Sequence, residues 1–183
     1  LRTTHVAAEK VKKLSRVLSH AAEKCPFANG LAKKNKIAET LFLDVAALDA
    51  RWAREFVAEA IRKKASAILI IAGFPCKGLS RQNGKYRPNL NHPDSALFEH
   101  IPRIDELIRK EVKAQSQDRL RLRVFKIVEN VVMQRGPHRH LCDTLGGIPT
   151  LIDAKYTCGS SRPRLFWTDF EIRPEQGETL NLG

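Results

Sequence analysis

The chain has 183 residues, of which 43% are hydrophobic and 28% are charged. This length suffices for one buried core, the composition excludes wholesale disorder, and no apolar run approaches the ~20 residues of a membrane-spanning helix. Lys and Arg number 32 against 20 Asp and Glu, a net charge of +12, which favours nucleic acid as a partner over a basic surface without one.

The four cysteines indicate reduced, intracellular thiols. Cys25, Cys76, Cys142 and Cys158 are widely spaced, too far apart for a short zinc motif and too sparse for a secreted disulfide scaffold. No signal peptide is visible, and the first residue is Leu1 rather than Met. We therefore expect an intracellular protein and a sequence that is a fragment or a processed piece.

Taken in chain order, the predicted elements alternate between strands and helices. Strands are predicted at 5–8, 41–43, 67–72, 124–128, 149–152 and 165–167, and helices at 10–22, 52–64, 94–113 and 139–145. An irregular segment rich in Gly and Pro, from Gly73 to about Pro93, joins the third strand to the third helix. This alternation predicts an α/β fold with a doubly wound, mostly parallel sheet.

Polar residues end four of the apolar runs. They are Glu9, Asp44, Cys76 and Glu129. The carboxyl ends of parallel strands meet at one edge of a sheet, where such folds bind their ligands. We therefore expect these four side chains along one edge and a functional site there.

Cys76 lies just after the apolar third strand. Pro75 fixes the backbone before the thiol, Gly78 loosens it afterwards, and the neighbouring Lys77 favours the reactive thiolate. A lone cysteine is usually a small core residue. Its position at a strand end, in a segment (73–92) with four basic and no acidic residues, favours a nucleophile instead.

Three motifs and one further segment resemble those of the cytosine 5-methyltransferases. Gly73-Phe74-Pro75-Cys76 with Gly78-Leu79-Ser80 resembles the nucleophile motif, and Glu129-Asn130-Val131 resembles the Glu-Asn-Val motif. Arg162-Pro163-Arg164 resembles the Arg-x-Arg motif, and Asp94–Phe98 resembles the start of the helix after the catalytic loop. Together these motifs cover residues 73–168 and imply a partial catalytic domain with the Rossmann-like fold of S-adenosylmethionine-dependent methyltransferases.

The resemblance implies covalent catalysis on cytosine in DNA. The Cys76 thiolate would add to carbon 6, so that carbon 5 can attack the sulfonium methyl group. Glu129 would stabilise or protonate the ring nitrogen; the alternative is a buried salt bridge. Arg162 and Arg164 would contact the base carbonyl and pair with Glu129; the alternative for both is ordinary surface charge. The sequence does not identify the base that removes the carbon 5 proton.

The resemblance also implies S-adenosylmethionine as cofactor. Glu9 would accept hydrogen bonds from the ribose hydroxyls, and Asp44 from the adenine amino group. Pro75 and Leu97 complete the residues assigned to the cofactor. A solvated acid or a helix cap is the alternative for each carboxylate.

The expected nucleic-acid partner is double-stranded DNA with its target cytosine flipped out of the helix. The basic loop after Cys76 is suited to closing over DNA, and its charges would contact phosphates. The alternative is a set of solvated loop charges. The residues assigned to DNA are Lys77, Ser80, Arg81, Lys85 and Arg87. His138-Arg139-His140 could suggest a metal pair, but no metal site is expected.

The chain departs from the family pattern in four places. Lys77 replaces the usual Gln after the nucleophile, and Ser160 replaces the Gln before Arg162. No glycine-rich cofactor motif precedes Glu9, and no target-recognition region or last motif follows Gly183. We therefore expect residues 1–183 to form one partial catalytic domain that binds cofactor weakly and methylates poorly by itself.

Three other functions remain open from the sequence. One is methylation of transfer RNA, whose enzymes carry a tripeptide in the nucleophile loop that is not found here. Another is a non-catalytic homologue that binds nucleic acid or a partner methyltransferase. The third is a basic nucleotide-binding domain with a structural cysteine. A eukaryotic source would imply the nucleus, and any other source the cytoplasm.

Overall fold

The computed structural model describes residues 20–22, 40–42, 44–80, 89–115, 122–155 and 159–172. From residue 40 to residue 153, the described strands and helices alternate as the sequence predicts. The described strands are β1 (His20–Ala22), β2 (Thr40–Phe42), β3 (Ala67–Gly73), β4 (Arg123–Val131), β5 (Thr150–Asp153) and β6 (Pro163–Thr168). The helices are α1 (Ala50–Arg62), α2 (Pro93–Ala96), α3 (His100–Gln115) and α4 (Arg135–Leu145), with short 3-10 turns at Val45–Ala47, Asn89–Asn91 and Leu97–Glu99.

Four of the strands form one mixed sheet in the order β3-β4-β6-β5. β3 and β4 pair in parallel, whereas β6 is antiparallel to both β4 and β5. Consequently β3, β4 and β5 run in one direction, and β6 alone is reversed. The α/β class is confirmed, but the expectation of mostly parallel pairing is wrong for this sheet. The reason is the short connection from β5 to β6, which allows antiparallel neighbours without a crossover helix.

The three longer helices pack on one face of this sheet. Ile68 of β3 is buried against α1 and α3, in a cluster that includes Val57 and Ile108. A second cluster joins α4 to β4 and β6 and includes Leu141 and the fully buried Trp167. Residues two apart on a strand share a face, so both clusters lie on the same side. The core therefore holds β3 and β4 firmly in register.

The opposite face of the sheet is apolar but exposed at β3. Leu69 and Ile71 are 51% and 72% exposed, although both lie in the middle of the strand. The sequence of β3 is uniformly apolar, but its burial alternates, because helices cover only every second residue. A fully apolar run predicts a strand in the middle of a parallel sheet, buried on both faces, but among the described residues only one face of β3 is covered.

Helix α1 begins with an N-cap that sets its first turn. The side chain of Asp49 accepts a hydrogen bond from Trp52 N at 2.8 Å, which satisfies one of the free amides at a helix start. The predicted start at Trp52 is therefore two residues late.

No helix within the described ranges is long and apolar enough to cross a membrane.

Several predicted elements have different boundaries in the structure. The helix predicted at 10–22 is wrong at its end, because His20–Ala22 pairs in parallel with β2; its other residues, like the strand at 5–8, lie outside the described residues. β4 was expected to stop before Glu129, but its pairing with β6 extends it to Val131. The segment from Gly73 to Pro93 contains a turn at Asn89–Asn91.

Candidate active site

The ends of β3 and β4 bring the nucleophile motif beside the Glu-Asn-Val motif. Gly73 is paired in register with Glu129, three residues before Cys76. A side-chain carbon on Gly73 would lie 3.3 Å from Glu129 Oε2. The glycine therefore gives the carboxylate room to lie across the end of β3, the strand that Cys76 follows.

Glu129 forms an ion pair with the second arginine of the Arg-x-Arg motif. Arg164 Nε lies 2.7 Å from Glu129 Oε1, and the two side chains are 23% and 38% exposed. Strand β6 makes this contact possible, because its antiparallel pairing sets Arg164 opposite Val131, close to Glu129. A partly screened, short ion pair orients both groups strongly. The sequence prediction that Arg164 pairs with Glu129 agrees with this geometry.

Asn130 ties the nucleophile segment to β4. Its Nδ2 donates to Phe74 O at 3.0 Å, and its Oδ1 accepts from Val131 N at 2.8 Å. The side chain is only 2% exposed, so both bonds lie in the interior. Because Phe74 is two residues before Cys76, this bond fixes where the chain leaves β3. The pairing of Asn130 with a backbone carbonyl was not anticipated from the sequence.

Cys76 is a half-buried free thiol at the start of a tight turn. Its carbonyl accepts from both Leu79 N and Ser80 N at 2.9 Å. The cysteine packs against the core cluster, into which Leu79 is completely buried. The thiol is thus neither a fully buried core residue nor freely exposed, which suits a nucleophile with a fixed position.

Asp153 organises the turn that carries the Arg-x-Arg motif. Its Oδ1 accepts from Arg162 N at 2.7 Å and Lys155 N at 3.0 Å, and its Oδ2 accepts from Ser161 Oγ at 3.0 Å. The bond from Lys155 N, followed by that from Arg162 N, lowers the pKa of Asp153 below its usual value. The Arg162 side chain itself is exposed, and the structure does not bring it to Glu129 through any described contact.

Three of the four residues assigned to the cofactor lie within the described residues. Pro75 is exposed beside Cys76, and Leu97 is half-buried at the start of the turn before α3. Asp44 is exposed and accepts from Ala46 N at 2.9 Å, so it also caps a short 3-10 turn. Glu9 lies outside the described residues. The cofactor roles of all four residues stay predictions.

The residues assigned to DNA lie on the chain directly after the nucleophile. Lys77 is exposed and Ser80 is half-buried in the turn after Cys76. Arg81, Lys85 and Arg87 lie outside the described residues. The described pair is therefore adjacent to Cys76, and their contacts with DNA stay predictions.

The two histidines of α4 make aromatic contacts. The His138 ring lies 6.3 Å from Trp167 and near the Cys142 sulfur, while His140 packs edge-on against Phe98 with ring centroids 5.5 Å apart. The described residues contain no group of three or more His, Cys, Asp or Glu side chains that could hold a metal ion. These contacts give both rings a packing role.

A separate network of charges lies on the helical face, around Lys126 of β4. Lys126 Nζ is 3.4 Å from Asp105 Oδ2 and 3.2 Å from Asp169 Oδ1, and Arg109 binds the same two carboxylates at 2.6 Å. A cavity of about 540 Å³ adjoins this network and is lined also by Ile101 and Leu145. Its described lining includes neither Cys76 nor Glu129, so we treat it as distinct from the candidate site.

Sequence reasoning missed two residues that organise the site. Asn130 was read only as part of a motif, although a buried amide at a strand end is a signal for a backbone tether. Asp153 lies nine residues before Arg162 and gives no signal by itself.

Neither a family model nor a characterised protein matches this chain.

Proposed function

We propose that the chain carries the reacting groups of an S-adenosylmethionine-dependent cytosine 5-methyltransferase acting on DNA. The observation that carries this proposal is the convergence of three separated motifs at one sheet edge. Gly73, Glu129 and Arg164 come from three adjacent strands and are joined by register and by a 2.7 Å ion pair. A basic domain with a purely structural cysteine does not require that convergence.

Cys76 is the nucleophile of the proposed reaction. Its sulfur forms a bond to carbon 6 of a flipped cytosine, and the electrons of the 5,6 double bond become available at carbon 5. The bonds from Leu79 N and Ser80 N to the Cys76 carbonyl hold the turn, so little reorganisation accompanies the addition. After methyl transfer, loss of the carbon 5 proton lets the sulfur leave and restores the double bond.

Glu129 and Arg164 act together on the base. Glu129 takes up a proton from solvent when the base binds and donates it to ring nitrogen 3 during the addition, while its carboxyl group accepts a hydrogen bond from the exocyclic amino group. Arg164 holds the carboxylate by one oxygen, and the other oxygen lies beside Gly73, three residues before Cys76. Arg162 is the candidate for the base carbonyl, and Asp153 fixes its backbone.

The cofactor pocket would lie at the same strand ends. Asp44, Pro75 and Leu97 fit the chemistry of S-adenosylmethionine, since they offer a carboxylate for the adenine amino group and apolar surface beside the nucleophile. Bound there, the cofactor supplies the methyl group. The finer fold that we propose is a doubly wound sheet with one reversed strand, because β3, β4 and β5 already share a direction.

The direct test is methyl transfer under single-turnover conditions. The protein in excess is incubated with a cytosine-containing duplex and S-adenosylmethionine with a deuterated methyl group, and the nucleosides are analysed by mass spectrometry. We expect labelled 5-methylcytosine from the wild type and background from Cys76→Ser. Cys142→Ser is the matched control, because Cys142 is also a half-buried free thiol but lies on α4.

Transfer RNA is included as a second substrate. Label in RNA and not in DNA would replace the proposed substrate while keeping the chemistry. Label in neither nucleic acid, at saturating cofactor and with folded protein, would contradict the proposed function. Equal loss in Cys76→Ser and Cys142→Ser would contradict the assignment of the nucleophile.

A further inference from the structure

Gly78 occupies a position where no side chain fits. A side-chain carbon built on it would lie 2.3 Å from Asn89 O, 2.7 Å from Ser95 Oγ and 2.8 Å from His92 Cβ. The nearest of these atoms belongs to the backbone, which cannot swing aside. The φ angle of Gly78 is not in the left-handed region, so the requirement is for space and not for an unusual conformation.

This close approach joins the turn after Cys76 to the turn before α3. Asn89 N donates to Gly78 O at 3.1 Å, and the second turn is closed by Ser95 N donating to His92 O at 2.8 Å. Gly78 and Ser95 are buried. The turn formed by Cys76–Ser80, called the nucleophile turn, is thus in contact with the chain at Asn89, which donates a hydrogen bond to it.

We infer that Gly78 is a positioning residue for the Cys76 thiol. Cys76 and Gly78 lie in one turn, which is closed by the bonds from Leu79 N and Ser80 N to Cys76 O. A side chain at residue 78 moves that turn away from Asn89, and the displacement passes to Cys76. The catalytic meaning of this role rests on the proposed function, but the positioning itself does not.

The test compares Gly78→Ala with Gly136→Ala. Gly136 is the matched control, because a side-chain carbon there meets nothing within 4 Å. Each folded variant is treated with iodoacetamide, and the rate at each cysteine is followed by peptide mass spectrometry. We expect Gly78→Ala to raise the rate at Cys76 several-fold, because the turn opens, and to leave the rate at Cys142 unchanged. Gly136→Ala should leave both rates as in the wild type.

The readout that separates positioning from general stability is the division between kcat and KM. For Gly78→Ala we expect kcat to fall by roughly 100-fold, the effect of displacing a reacting atom by about 1 Å, with the KM for DNA nearly unchanged. A wild type that makes no 5-methylcytosine ends the proposed function, whereas the alkylation rates still decide the role of Gly78.

A milder variant keeps the inference testable if Gly78→Ala does not fold. Ser95→Val replaces the hydroxyl group that lies near Gly78 with a larger methyl group and leaves the sequence of the nucleophile turn unchanged. We expect the same selective rise at Cys76, of smaller size. An unchanged Cys76 rate in folded Gly78→Ala, or in Ser95→Val where Gly78→Ala is unfolded, would overturn the inference.

Discussion

Replacing Asn130 by Ala should destabilise the protein by about 2–4 kcal/mol. The substitution removes two interior hydrogen bonds, to Phe74 O at 3.0 Å and from Val131 N at 2.8 Å. It also takes a hydrogen-bond partner from each of those two backbone groups in a place where the residue is 2% exposed. Each stranded buried group costs about 1–3 kcal/mol, and partial entry of water lowers the sum to the stated range.

The assay is equilibrium unfolding in urea, followed by tryptophan fluorescence. Thr144→Ala is the control, because it removes an exposed bond to His140 O within α4 and should change the free energy of unfolding by less than about 0.5 kcal/mol. Asn130→Asp keeps the acceptor for Val131 N but directs an oxygen at Phe74 O, so it should also destabilise. A loss below about 0.5 kcal/mol for Asn130→Ala would refute the view that this side chain anchors the nucleophile segment.

Three further predictions address the core, the arginine turn and the ion pair. Leu141→Ala should cost about 2–5 kcal/mol in urea unfolding, because Leu141 is fully buried and its loss leaves a cavity; a cost near zero would contradict that packing. Asp153 has a lowered pKa, so its stabilising effect is complete above the ordinary Asp pKa of about 4 and disappears as pH falls through the lower pKa of the folded protein. The difference in melting temperature between the wild type and Asp153→Asn should shrink as pH falls through that window. A difference that stays constant with pH would contradict the role given to the Asp153 carboxylate. Arg164→Lys should lower kcat more than it raises the KM for DNA, because Lys cannot reproduce the planar guanidinium contact with Glu129; equal kinetics in the two proteins would exclude a role for that geometry.

Local patterns predicted most of the described elements. The apolar run at Ala67–Ala72 and the periodic residues from Trp52 to Lys64 both correspond to elements in the structure, with boundaries shifted by one or two residues. The order of strands was not predictable in the same way. β6 lies between β4 and β5, and that insertion depends on contacts distant in sequence, such as Val128 opposite Trp167.

The contact between the Glu-Asn-Val and Arg-x-Arg motifs was predictable from the sequence, because the resemblance assigns both partners. The sequence prediction paired Arg164 with Glu129, and the two side chains form an ion pair. It gave Arg162 the same task, but that side chain is exposed, and only its backbone has a described partner, Asp153. Arg162 precedes β6, which begins at Pro163, so strand pairing places only Arg164 beside the end of β4. The motif alone does not say which arginine that is.

Covalent trapping on 5-fluorocytosine tests whether Cys76 is the nucleophile. A duplex that contains this base is incubated with the protein and S-adenosylmethionine, and the digest is searched for a peptide linked to the base. Because fluorine cannot leave as a proton, we expect a stable adduct at Cys76, which is lost in Cys76→Ser and retained in Cys142→Ser. No adduct with folded protein and saturating cofactor, or an adduct that persists in Cys76→Ser, would exclude Cys76 as the nucleophile of a cytosine 5-methyltransferase.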